Sequence, residues 1–134
     1  MKNQLFLFCI LSLLLISCDD EVPQGPNFTD PNPNDTEIQV ENKSNFALDS
    51  FYLNTSGGSQ LFGRVDQRKT TNLKSFLFSY PEMEIRFQIN GKNFLHIPVD
   101  YSNMTKVESG KYELEINSID TNKLSFTFLL EELK

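Results

Sequence analysis

The stretch that decides the fold reads MEIRFQING, residues 83–91. Every second residue from Met83 to Ile89 is apolar, and the residues between them are charged or amide-bearing. This period of two predicts a β-strand with one face buried and the other in water. The Asn90-Gly91 pair that follows is typical of a tight β-hairpin turn, because both residues tolerate positive φ. The stretch therefore predicts a hairpin that contributes to an antiparallel sheet.

The second strand of this hairpin, residues 92–100, fits two registers. A two-residue turn pairs Phe87 with Phe94 and leaves Leu95, Ile97 and Val99 on the polar face. A one-residue bulge brings those three side chains onto the apolar face instead. Both registers stay open, and we favour the bulge because exposing three aliphatic side chains in a row costs more than one bulge. Pro98 marks the far end of the strand as an edge or a bulge.

Similar short apolar runs recur on both sides of this hairpin. They cover residues 37–41, 46–53, 61–65, 70–78, 111–117 and 124–130. Turn-forming residues separate them, and nothing after Cys18 predicts a helix. Seven or eight strands within residues 37–134 predict an all-β domain, an antiparallel Greek-key β-sandwich, because a single sheet of that size would leave one apolar face uncovered.

One segment within this domain resembles immunoglobulin-like sandwiches. Gly110-Lys111-Tyr112 opens the run 111–117, in which Tyr112, Leu114 and Ile116 are expected to point inward. In those sandwiches a glycine opens the strand, and the tyrosine hydroxyl often holds a neighbouring loop. The resemblance implies an immunoglobulin-like fold and carries no function.

The N-terminal residues have the layout of a secretion signal. Lys2 is followed by twelve residues, Leu5 to Ile16, that are all apolar except Ser12. A charged start and a short apolar segment are typical of a signal peptide, and the segment is shorter than the ~20 residues that a transmembrane helix needs. Residues 1–17 are therefore expected to be removed.

The end of the apolar run, Leu15-Ile16-Ser17-Cys18, resembles the lipobox of bacterial lipoproteins. That resemblance implies that Cys18 becomes the first mature residue and carries a covalent lipid, which anchors the chain in a membrane. Asp19, Asp20 and Glu21 resemble the acidic signal by which some Gram-negative bacteria export lipoproteins to the cell surface. The resemblance thus implies a lipid-anchored protein of the outer membrane, exposed at the surface. In other Gram-negative lineages, Asp after the cysteine implies retention in the inner membrane, and that alternative stays open.

Residues 18–36 separate this anchor from the domain. They include four prolines and show no helical or strand period, so an extended tether is expected. The whole layout resembles small bacterial lipoproteins of unassigned function, which join a lipobox, a proline-rich tether and one all-β domain.

The charge and cysteine content exclude several classes of function. The chain of 134 residues has 12 Lys and Arg against 18 Asp and Glu, without a basic cluster, so nucleic acid is not an expected partner. Cys9 would leave with the signal peptide, and Cys18 would then be the one cysteine of the mature chain. No disulfide, zinc site or other metal site is predicted, and no cofactor besides the lipid on Cys18.

The domain shows no catalytic motif. His96 is the only histidine, and the many carboxylates cannot be paired across a cleft from sequence. We therefore expect a non-catalytic binding or accessory module, whose partner is an envelope protein or a glycan. Exposed aromatic side chains near predicted loops are candidates for binding, namely Phe62, Phe76, Tyr80 and Tyr101. The alternatives are a structural subunit that pairs through an edge strand and, more remotely, a carbohydrate-active hydrolase.

Overall fold

A computed structural model describes residues 35–134 of the chain. The expected signal peptide 1–17, the lipid site Cys18 and the acidic residues Asp19, Asp20 and Glu21 lie outside this range, as does most of the tether. The first strand begins at Thr36, one residue before the expected start of the domain, and Thr36 is buried. Within the described range, no helix has the length and apolar character needed to cross a membrane.

The described residues form eight strands and two sheets. The strands are β1 (Thr36–Asn42), β2 (Leu48–Asn54), β3 (Ser59–Val65), β4 (Lys74–Phe76), β5 (Glu84–Ile89), β6 (Lys92–His96), β7 (Gly110–Asp120) and β8 (Ser125–Glu132). The first sheet has the strand order β4-β1-β7-β8, and the second has the order β3-β2-β5-β6. The predicted all-β sandwich of seven or eight strands is confirmed, and no helix occurs among residues 35–134.

One strand pair departs from the expected antiparallel arrangement. β1 runs parallel to β7, and the pairing extends from Thr36 beside Gly110 to Asn42 beside Ile116. β1 can pair in this way because the chain crosses to the second sheet twice between β1 and β7, for β2–β3 and for β5–β6, and returns to the first sheet for β4 between these two visits. A parallel pair needs such a long crossover, which a local sequence pattern does not reveal.

The core lies between the two sheets and is rich in phenylalanine. The buried side chains come from the inward faces of β1 to β7, as the alternation predicted, and from Met83 before β5. β8 adds half-buried side chains that pack against this core. Phe51, Phe87 and Phe94 form a stack, with ring centroids 5.7 Å and 5.1 Å apart and planes within about 6° of parallel. Phe126 of β8 meets Phe87 edge-on at 4.8 Å. This column of rings joins the second sheet to the first.

The hairpin of β5 and β6 has the two-residue turn, so the favoured bulged register is wrong. Phe87 pairs with Phe94 and Ile85 pairs with His96. Asn90 and Gly91 both have positive φ, 48° and 76°, as the tight turn requires. The turn geometry sets the register, and Leu95 points outward as a consequence.

Two strands are shorter than predicted. Residues 70–78 form a strand only at Lys74–Phe76, with an isolated bridge between Glu41 and Thr70. β6 ends at His96 and does not reach residue 100, since Pro98 cannot donate a backbone hydrogen bond to a ladder. Residues 97–109 therefore form a long irregular loop.

The Gly-x-Tyr segment behaves as the resemblance implied. β7 begins at Gly110, and Tyr112, Leu114 and Ile116 are buried. The Tyr112 hydroxyl donates a hydrogen bond of 2.9 Å to the carbonyl of Glu108. This bond holds the end of the 97–109 loop against the start of β7.

Candidate functional site

The structure separates the four aromatic residues that the sequence suggested for binding. Phe76 is only 1% exposed and packs in the core, so its ring is not available to a ligand. Phe62 packs half-buried on the edge strand β3, where it meets Phe51 edge-on at 6.1 Å. The ammonium group of Lys74 covers it at 5.3 Å from the ring centroid. These two residues therefore belong to the β3 and β4 side of the sandwich.

Tyr80 and Tyr101 are brought together at one end of the sandwich. Their ring centroids are 5.1 Å apart with planes tilted by 45°, and Phe78 meets Tyr80 edge-on at 6.0 Å. Lys106 lies over the Phe78 ring at 3.9 Å, a cation–π contact. The rings are half-buried and pack on one another, so they do not form a flat stacking platform for a sugar.

A shallow groove of about 380 Å³ lies between the edge strands β6 and β8. Its walls are largely apolar and come from Phe126, Phe128 and Leu130 of β8. His96 of β6 also lines it, and the imidazole ring stands edge-on to Phe128 with centroids 4.7 Å apart. The groove therefore joins the exposed edges of the two sheets.

The buried ring nitrogen of His96 has an unusual environment. His96 Nε2 is buried and has no hydrogen-bond partner among the described residues. The nearest carboxylate is that of Glu82, whose Oε2 lies 3.9 Å away, beyond hydrogen-bond distance. A buried polar atom without a hydrogen-bond partner is uncommon and costs free energy of folding, so this nitrogen distinguishes the groove from the rest of the surface.

The outer rims of this groove carry exposed aliphatic side chains. Leu95 of β6 and Leu129 of β8 are each about half exposed, and Ile97 follows β6 with similar exposure. Among residues 35–134, β6 pairs with β5 alone and β8 with β7 alone, so each presents backbone groups along its outer edge. We call this surface the β6/β8 side. It combines unpaired strand edges with apolar side chains, which is the usual composition of a strand-pairing surface.

A second hollow of about 400 Å³ adjoins Leu95 on the outer face of the second sheet. Tyr52 and Arg86 line it, and the guanidinium of Arg86 lies 5.7 Å from the centre of the Tyr52 ring. Glu84 pairs with the same guanidinium. This hollow lies next to the exposed Leu95, and the charge of the Arg86 guanidinium that lines it is neutralised by Glu84.

Three carboxylates meet on the outer face of the first sheet. Oxygen atoms of Glu41, Glu113 and Glu115 lie within 4.8 Å of one another, because the parallel pairing sets Glu41 beside Glu115. Lys43 contacts Glu115 and lies 3.4 Å from Glu41. Its hydrogen bond with Glu115 raises the pKa of Lys43 above its ordinary value. The cluster is thus held as an ion-pair network around Glu115, which is 9% exposed.

Sequence patterns did not identify His96 or the β8 aromatics as parts of one site. His96 was a lone histidine in a strand, and Phe126 and Phe128 were ordinary core positions. The Asn90-Gly91 turn contains the information that would have placed His96. With a two-residue turn, His96 lies on the same face of the strand as Phe94, and Leu95 lies on the opposite face. Glu113 and Glu115 share an outer face because they alternate with the buried Tyr112, Leu114 and Ile116, whereas Glu41 joins them only through the fold.

Comparisons with known proteins support the fold alone. No protein-family model matches the chain, and no curated protein matches it. A solved structure described as the NMR structure of the protein from Eubacterium rectale is similar to it, with a TM-score of 0.53 and 13% sequence identity. The similarity covers 75% of this chain and 92% of that chain. At this sequence identity the similarity supports the β-sandwich fold and carries no information about binding or catalysis.

Proposed function

We propose that this protein is a lipid-anchored lipoprotein of the Gram-negative outer membrane, exposed at the cell surface, whose β-sandwich is a non-catalytic accessory module. The module binds an extended strand of an envelope protein along the β6/β8 side. The observation that carries this proposal is the coincidence of three features: the outer edges of β6 and β8, which pair with no strand among residues 35–134, the exposed Leu95 and Leu129, and the groove between the two strands.

Strand addition suits this surface better than ligand binding at the tyrosines. An added strand would pair its backbone with the outer edge of β6 or β8 and place alternate side chains toward the groove or the rims. Burying a leucine side chain contributes about 1.5–3 kcal/mol when it passes from full exposure, so the half-exposed Leu95 and Leu129 offer roughly 1 kcal/mol each. His96 Nε2 lies on this side as a buried polar atom that has no hydrogen-bond partner among residues 35–134.

A glycan is the second candidate partner, and the tyrosines are the observation that favours it. Tyr80 and Tyr101 lie together at one end of the sandwich with Phe78. Their mutual packing leaves edges and hydroxyls for a sugar and no broad face. Binding of the wild-type protein to a glycan array, lost in Tyr101→Ala, would replace the protein-partner proposal with a glycan-binding one.

The anchoring part of the proposal has its own experiment. Cys18→Ala should abolish incorporation of labelled fatty acid and leave an uncleaved or unanchored chain, because the alkylated group is the cysteine sulfur. If the variant stays in the membrane fraction as the wild type does, the lipid anchor on Cys18 is refuted.

The binding part is tested by photo-crosslinking in intact cells. A photoreactive amino acid is placed at position 95 on β6 and, as the matched control, at position 61 on β3. Leu61 is an exposed leucine on the edge strand of the same sheet, at its opposite side. We expect a discrete adduct from position 95 and none from position 61, and we expect Leu129→Glu to weaken it. Equal adducts from both positions, or none from position 95, would contradict the proposal.

A further inference from the structure

The topology gathers one set of loops at the end of the sandwich where β1 begins. We call this the proximal end, because the chain leads from it back toward Cys18. Thr36 pairs there with Phe76 and Gly110, so the 77–83 and 97–109 loops start or finish at the same level. In the second sheet, Glu84 pairs with Asn54 and His96 with Ile85, which places the 55–58 turn there as well.

The proximal loops expose large aliphatic side chains. Val99 is fully exposed, and Leu77 and Ile97 are more than half exposed. Pro98, between Ile97 and Val99, is buried, so these two exposed side chains flank an anchored residue at the start of the 97–109 loop. At the opposite end of the sandwich, the distal end, the exposed large apolar residues are Phe46 at 36% and Leu124 at 45%. The proximal end is thus the more apolar of the two.

The two proximal loops are held together by specific contacts. The backbone N–H of Val107 donates to the carbonyl of Ser79 at 3.0 Å, and the Tyr80 and Tyr101 rings pack at 5.1 Å. The Thr55 hydroxyl donates to the Phe78 carbonyl at 2.8 Å. Because these contacts already order the two loops, little conformational entropy is lost when their exposed aliphatic side chains bind a surface. Tyrosines beside aliphatic tips are also typical of the membrane–water interface, where the ring is apolar and the hydroxyl is wet.

The length of the chain between Cys18 and β1 favours contact at the proximal end. Seventeen residues, 19–35, separate the two. They span ~50 Å when fully extended and about 23 Å as a random coil. β7, with 11 residues, is about 36 Å long, which is close to the length of the sandwich. For the distal end to contact the membrane that holds Cys18, residues 19–35 would have to run back along the whole length of the domain. Contact at the proximal end requires no more than their random-coil span.

We propose that the proximal end rests on the lipid bilayer, with Leu77, Ile97 and Val99 entering the interface. This inference rests on the proposed lipid anchor at Cys18. Glu82, Asp100 and Glu108 lie in the same loops, so the contact is shallow and favours a zwitterionic surface over an anionic one. In this orientation the strands run roughly perpendicular to the bilayer plane, so the β6/β8 side faces laterally, toward neighbouring membrane proteins.

The test uses the lipidated chain in phosphatidylcholine vesicles. With Cys9 removed and the Cys18 sulfur alkylated, the mature chain has no free thiol, so Val99→Cys introduces a unique labelling position. Lys123→Cys, on the exposed distal turn between β7 and β8, is the matched control. Each variant carries an environment-sensitive dye, and quenching by nitroxide lipids is measured. We expect several-fold stronger quenching and a blue-shifted emission at position 99, and water-like emission at position 123.

Flotation of the same samples separates the two proposals. If the protein floats with the vesicles but the two positions are quenched equally, or position 123 more strongly, the seating is refuted and the anchor stands. If the protein does not float, the anchor is refuted and the seating with it. If position 99 is shielded only in vesicles made from cell envelopes, a membrane protein covers the proximal end, and contact with lipid is refuted. Unchanged circular dichroism of both variants shows that neither substitution disturbs the fold.

Discussion

Replacing Gly57 with alanine tests how the proximal loops are held against the sandwich. Gly57 lies in the turn between β2 and β3, and its backbone φ is not in the left-handed region. Space is what limits this position. A Cβ atom there would lie 2.2 Å from the carbonyl oxygen of Phe78 and 2.5 Å from its nitrogen. Since both contacts are with backbone, either the 55–58 turn or the chain around Phe78 must shift to make room.

The loss of stability expected for Gly57→Ala has two sources, the steric clash itself and the hydrogen bonds that the shift weakens. Overpacking of this kind costs about 1–3 kcal/mol. The displacement also weakens two hydrogen bonds, from Leu77 N–H to the Gly57 carbonyl at 3.0 Å and from the Thr55 hydroxyl to the Phe78 carbonyl at 2.8 Å. Each contributes about 0.5–1.5 kcal/mol. Because the two costs overlap, we expect the free energy of unfolding to fall by about 2–4 kcal/mol.

Urea denaturation followed by circular dichroism measures this loss. With a denaturant slope of about 1.5 kcal/mol per M, a loss of about 3 kcal/mol lowers the midpoint by roughly 2 M. Gly91→Ala is the matched control, because Gly91 has φ of 76° and a Cβ atom added there would have no neighbour within 4 Å. There the cost is conformational, about 1–2 kcal/mol, and Gly91→Asn should recover part of it because asparagine tolerates this conformation.

The two glycines therefore respond to asparagine in opposite ways. At position 57 asparagine should be at least as harmful as alanine, since it is larger and the limit is steric. A Gly57→Ala midpoint indistinguishable from the wild type would show that the Phe78 backbone does not approach Gly57 as described. Recovery by Gly57→Asn would show that backbone conformation, and not space, controls the position.

Three further predictions concern the core and the titrating groups. Phe87→Ala should cost about 3–5 kcal/mol and Phe87→Leu clearly less, by urea denaturation, because the ring is 2% exposed between two stacked rings; equal costs would contradict the stack. Burial, and then the charges of Glu132 and Glu108, raises the pKa of Tyr112 above its ordinary value. The folded state then keeps this proton longer than the unfolded state, so stability should fall as the pH rises above about 10, and Tyr112→Phe should flatten that fall. Hydrogen bonds from the hydroxyl and N–H of Ser102 lower the pKa of Asp100, so its small contribution should persist above about pH 4 and be lost as the pH falls through the lowered value; Ser102→Ala should return the carboxyl titration, followed by NMR, toward normal.

Much of the fold was predictable because it follows from local patterns. The alternation from Met83 to Ile89 predicted β5, and the Asn90-Gly91 pair predicted the hairpin, although the bulged register favoured for its second strand was wrong. Gly110 and Tyr112 marked the start of β7 and the hydrogen bond that closes the preceding loop. Each of these signals lies within about ten residues of chain, and each depends on backbone conformations and side-chain alternation that neighbouring residues determine.

The candidate sites were less predictable because they join residues that are distant in sequence. Phe62, Phe76, Tyr80 and Tyr101 looked equivalent as aromatics near loops, yet the fold buries Phe76 and brings together only the two tyrosines. The β6/β8 side depends on which strands end at the sheet edges. That order follows from the crossovers of the whole chain, which no short stretch specifies.

The amino-acid sequence by itself determined the strand periodicity, the hairpin turn and the resemblance of residues 15–18 to a lipobox. Only the tertiary structure decided the parallel pairing of β1 with β7 and the grouping of His96 with Phe128. The physical reason is the range of the interactions involved. Backbone propensity and side-chain alternation act between neighbours, whereas strand order and edge exposure reflect the packing of the whole domain. In the hairpin, the local geometry of the turn prevailed over the burial of Leu95, and outward-facing aliphatic side chains are the result.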